Sequence, residues 1–194
     1  MTIMPVENES YAGCPFILSR EVRVFRMSES LRLMQFNPAW KQEFEQARSS
    51  ILQATDGWVA DCQHVGATAL EGSIAAPVID LAAGLRELSR LNEVAALVEG
   101  LNYRRRETPS WCDEELVAYL EKPRSGQPTH SILIVALDGP AWVRMLQHRQ
   151  QLSASEELKE TLGTLKRKLY VTGCSAATNY ESAKQAFFSK LDQL

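Results

Sequence analysis

His64, Gly66, Thr68 and Asp80 belong to one stretch, HVGATALEGSIAAPVIDL, whose residue types suit the handling of a phosphate group. A glycine that closes an apolar, β-rich run lets backbone N–H groups approach an anion closely. Thr68 adds a hydroxyl to that turn, and His64 adds an imidazole that exchanges a proton near neutral pH. Asp80 interrupts the apolar run PVIDLAAGL, where an ionised carboxylate is costly unless it is paired or holds a metal. The plainer readings are a hydrogen-bonded strand-end histidine for His64 and a structural pair with Arg86 or His64 for Asp80.

The surrounding pattern predicts the elements that must position these residues. LRLMQF reads as a short strand, and Asn37-Pro38 as a helix start, with Asn as cap and Pro in the first turn. Trp40, Phe44, Ala47 and Ile51 then mark one face of a helix. WVADCQHVGA and PVIDLAAGL read as two strands joined by a segment through Gly72. A helix is expected from about Arg86 to Gly100, with Leu88, Leu91, Val94, Ala95 and Val98 on one side. Strands follow at Tyr103 to Glu107, Leu116 to Glu121 and Ser131 to Leu137, the last apolar enough to be central. Beyond Gly139-Pro140 the period is helical, with stripes at Trp142, Met145, Leu146 and Arg149, then Leu158, Leu162, Leu165 and Leu169, then Tyr180 to Leu194. The expected fold is α+β (α/β): a mixed, twisted sheet of about five strands flanked by helices, with a C-terminal helical group. Residues 1–28 read as an N-terminal arm and 29–194 as a single domain.

Composition narrows the function classes. The chain has 194 residues, 45% hydrophobic and 23% charged, which is ample for one packed core. A net charge of -3 and a pI near 5.7 exert no global pull on polynucleotides, so nucleic acid is not the expected partner. No apolar run approaches the roughly 20 residues of a bilayer span, and the start lacks a basic-then-apolar leader, so no membrane and a cytoplasmic location are expected. Cys14, Cys62, Cys112 and Cys174 form no tight pair. Cys62, His64 and His130 are permissible zinc ligands without a recognised spacing.

The stretch from His64 to Leu81 resembles the GrpB family, of the nucleotidyltransferase-like superfamily with a polymerase-β type fold. His64, Val65, Gly66, Thr68, Gly72, Pro77, Val78, Ile79, Asp80 and Leu81 sit in register with that family's hallmark. Phe36-Asn-Pro38-x-Trp40-x-x-x-Phe44, Asn102-Tyr103, His130-Ser-Ile-Leu-Ile, Trp142 through Arg149, Leu165-Lys166 and Tyr180-x-x-x-Lys184 follow in the family's order.

The resemblance implies a nucleotide or small phosphorylated ligand, with magnesium as cofactor and nucleotidyl transfer as the chemistry. Gly66 and Thr68 would then face the phosphates, and Asp80 would be a metal ligand and catalytic with His64. His130, Arg149, Lys166, Tyr180 and Lys184 complete the expected ligand-binding set. Departures from the pattern are Ala67 for Ser, Glu71 for Pro, Ala76 for Lys, Ile132 for His, and Ala82 where the superfamily's second carboxylate belongs. Glu121, Asp138 and Glu71 are the candidates for a further carboxylate. Two other readings stay open: a non-catalytic relative that binds an anionic metabolite or a protein partner, and an enzyme with repurposed chemistry using His64 and His130 as acid and base.

Overall fold

The computed structural model describes residues 33–108, Cys112, 117–172 and 186–193, with backbone alone over 169–172. The 1–28 arm, Tyr180 and Lys184 lie outside the described residues. The described residues open with strand β1 (Met34–Gln35), and Asn37 Oδ1 then accepts the Ala39 amide at the start of α1 (Ala39–Ala54). The four residues of the predicted stripe, Trp40, Phe44, Ala47 and Ile51, are the buried ones of that helix. Strand β2 (Val59–Val65), short β3 (Ile74–Ala75) and β4 (Ile79–Leu85) follow, then helix α2 (Leu91–Glu99). Strands β5 (Arg104–Arg106), β6 (Ala118–Lys122) and β7 (His130–Ala136) complete the sheet. Helices α3 (Pro140–Ala154) and α4 (Glu156–Thr172) and a helical segment at 186–191 close the described chain.

The main sheet is mixed and five-stranded, in the order β2-β4-β7-β6-β5. Only β4 and β7 pair in parallel, and the other neighbours are antiparallel. β7 is the middle strand, as its apolar run SILIVA predicts. Strands β1 and β3 form a separate antiparallel pair.

Alternation along the strands gives the sheet two different faces. Cys62, Ile79, Leu81, Ala83, Leu85, Leu120, Ile132 and Ile134 join α1 and α2 in the larger core. The opposite face carries Val65, Ala82, Leu133 and Val135, packed with Ala141 and Trp142 of α3. A third apolar cluster, Leu70, Leu152, Leu162, Phe187 and Leu191, fastens the C-terminal helices to the segment after β2. No helix among the described residues is long and apolar enough to cross a membrane.

Candidate functional site

Asp80 enters the sheet as the second residue of β4, with Val65 of β2 beside it on one flank and Ser131 of β7 on the other. The Ser131 hydroxyl donates to Asp80 Oδ1 at 2.6 Å. Gly66, exposed at the end of β2, adopts φ 70 and ψ -169, a combination open in practice only to glycine. A Cβ on Gly66 would collide with Oδ2 of Asp80, so the turn backbone and the carboxylate are held in direct contact.

The same row continues across β6. Ser131 is the register partner of Glu121, which is in turn that of Arg104 on β5. Tyr119, two residues from Glu121 and hence on the same face, donates its hydroxyl to Glu121 Oε1 at 3.1 Å. Arg106 Nε donates to Glu121 Oε2 at 3.0 Å. Burial pushes the Tyr119 phenol upward, and the carboxylates of Glu121 and then Asp80 push it further. One face of the sheet thus carries two carboxylates, two hydroxyls and a guanidinium beside the Gly66 turn.

Arg149 reaches this end of the sheet from α3. Its Nη1 donates to Gln63 Oε1 at 3.1 Å and to the His64 carbonyl at 2.7 Å. Because Gln63 pairs with Ala82, Arg149 is anchored one same-face position, roughly 7 Å along the strand, from the Asp80 row. No partner for its Nε or Nη2 is found among the described residues.

The other expected residues are placed elsewhere. His64 points to the α1 side, where its ring stacks on Phe44 with centroids 4.7 Å apart. Thr68 Oγ1 gives its hydrogen to the Val78 carbonyl at 3.0 Å, so it accepts from His64 Nε2 at 3.0 Å. Burial, then the charge of Arg149, lower the His64 pKa from 6.5 to about 4, which keeps the imidazole neutral. His64 and Thr68 therefore brace the turn from behind and leave Asp80 to the opposite face.

His130 is the register partner of Ile79 and Lys122, alternating with Ser131, and its Nδ1 meets Thr129 Oγ1 at 2.9 Å. Burial, then Lys122, lower its pKa. Lys166 of α4 donates to the Ile74 carbonyl of β3 at 3.0 Å, and Lys159 to the Glu71 carbonyl at 3.2 Å. Cys62 is buried, with its thiol pushed up to about 12, chiefly by that burial.

The structure thus brings together Asp80, Gly66 and, one step away, Arg149. Ser131, Tyr119 and Arg106 join them without a sequence motif to announce them, while Glu121 is one of the three carboxylates suggested above. Nothing in HSILIVA distinguished Ser131 from His130 as the neighbour of Asp80, because the register of β7 against β4 decides it.

A model of the GrpB family, described as GrpB protein, matches residues 30–193. The chain belongs to the GrpB family. A UPF0157 protein of Halalkalibacterium halodurans is 23% identical over 164 residues, covering 84% of this chain and 80% of that one. The glutamate-rich protein GrpB of Alkalihalophilus pseudofirmus is 23% identical over 155 residues, covering 78% and 88%. The crystal structure of the conserved protein GrpB from Enterococcus faecalis superposes with a TM-score of 0.72 at 23% identity, covering 84% of this chain and 95% of that one. The α+β fold with its mixed five-stranded sheet is thus that of a GrpB protein.

The donor set does not fit the magnesium pair that the superfamily resemblance implies. Ala82, the next residue of β4 on the Asp80 face, is 0% exposed and shares an apolar cluster with Trp142. Asp138 lies in the turn beyond β7, at the far end of that strand from Asp80. Among the described residues no three His, Cys, Asp or Glu side chains converge as a metal site would require.

Proposed function

We propose that this GrpB-family chain binds a nucleotide or another small phosphorylated ligand at the corner between the Gly66 turn and the Asp80 row, and that it binds without transferring a nucleotidyl group. The observation that carries this reading is the contact between Gly66 and Asp80. A glycine-only backbone conformation, exposed at a strand end and pressed onto an in-sheet carboxylate, is of the kind used where backbone must approach a ligand closely.

In this reading the phosphate lies against the turn backbone and the Arg149 guanidinium, while Asp80 accepts a hydroxyl or amino donor from the rest of the ligand. Ala82 supports a reading without transfer. Phosphoryl chemistry on two metals needs a carboxylate that bridges the two ions, and Ala82 supplies apolar packing where that second carboxylate would stand. The reading that uses His64 and His130 as acid and base has less support, because both rings lie on the face away from Asp80.

A thermal-shift panel of nucleoside phosphates and phosphorylated metabolites tests the proposal. A ligand at about 100 times its Kd stabilises by about 2.7 kcal/mol. The expected result is a shift for wild type that is lost in Asp80→Asn, with circular dichroism unchanged. A silent panel, or an equal shift in both proteins, would remove the proposal.

A further inference from the structure

We infer that the acidic row across β4, β7 and β6 carries its own cation, the Arg106 guanidinium, and is thereby closed to divalent metal. The inference rests on the proposed ligand site only in its last arm, since the metal question concerns the protein alone.

The two carboxylates of the row are separated by Ser131 and stand two strands apart, roughly 9 to 10 Å between their backbones. A magnesium ion needs near-octahedral oxygen ligands at about 2.0 to 2.1 Å, so both acids would have to turn toward one point. The protein's own donors hold them otherwise. Ser131 donates to Oδ1 of Asp80, and Gly66 lies against Oδ2.

Both oxygens of Glu121 accept as well, one from the Tyr119 hydroxyl and the other from Arg106 Nε. The Arg106 and Glu121 side chains are only 19% and 16% exposed, so this pair is sheltered from the water that makes surface ion pairs weak. A guanidinium stays charged at every accessible pH and meets a carboxylate through a fixed fork of donors. It therefore does permanently, at Glu121, what a metal would do only when bound.

The test is Mn2+ binding, read by water-proton relaxation with the ligand-free protein. Wild type is expected to bind Mn2+ no better than an unrelated protein of similar charge. Arg106→Gln, which uncovers Glu121 while keeping most of the side-chain volume, is expected to gain Mn2+ affinity through Glu121 alone, and Arg106→Lys to gain little. Tight Mn2+ binding by wild type that a folded Asp80→Asn abolishes would overturn the inference. Failure of a folded Arg106→Gln to gain affinity would overturn the counter-ion role. For any phosphorylated probe that binds, an equal shift in excess Mg2+ and in chelator is expected; a shift that appears only with Mg2+ would also overturn it. A panel with no binder removes the ligand reading and leaves the Mn2+ result to decide this one.

Discussion

Among the described glycines, Gly66 leaves the least room for a side chain, because Asp80 lies against it. Gly66→Ala places a methyl group both in a forbidden backbone region and against Asp80, and a cost of about 2 to 3 kcal/mol is expected from denaturant unfolding. Asp80→Ala removes the colliding carboxylate, so the double variant should be less destabilised than the sum of the two singles by about 1 kcal/mol. Strict additivity would mean that the two residues do not press on each other.

His64 makes a pH prediction. Its folded pKa is about 4 against 6.5 for the free group, so the unfolded chain takes up the proton first. Its neutral form stabilises the fold above pH 6.5, and that contribution is lost as the pH falls from 6.5 toward 4. The stability advantage of wild type over His64→Gln should shrink across that window, and a constant difference would contradict the half-buried, neutral imidazole. Gly66 and Asp80 were legible because glycine at a strand end and an acid in an apolar run are unusual in themselves. The direction of His64 was not, because its face depends on how β2 pairs with β4, and a one-residue change of register would reverse it.

Among the elements, the segment between β2 and β4 depends on its neighbours more than on its own propensities. It contains a short 3-10 turn at Ala67–Ala69 and the two-residue β3, and Lys159 and Lys166 of α4 both donate to its carbonyls. Lys166→Gln should weaken this attachment by about 1 kcal/mol. Hydrogen exchange should then quicken at residues 70–76 while β7 stays protected; unchanged exchange there would show that the Leu70 cluster holds the segment without the lysine. Sequence periodicity disclosed the long elements, as the stripe of α1 shows, because one buried face imposes a regular spacing. It missed the pairing of β1 with β3, since two-residue strands are too short to display alternation. The helix expected from Arg86 begins as a regular α-helix only at Leu91, after a 3-10 turn at Leu88–Arg90.

For the whole molecule, membership of the GrpB family and the shared fold define a scaffold, and function resides in the groups placed on it. One sheet face is given to core against α1 and α2, the other divides between apolar packing under α3 and the polar row that begins at Asp80. The sequence marked Asp80 as an interruption of an apolar run, but its partners on β6 and β7 emerge only from strand order. The most direct measurement is an amide chemical-shift titration of the isotope-labelled protein with inorganic phosphate and with the best binder of the thermal-shift panel. Saturable shifts centred on Gly66, Ala67, Asp80 and Ser131 are predicted. Shifts confined to another surface, or none with either probe, would contradict a phosphate site at this corner.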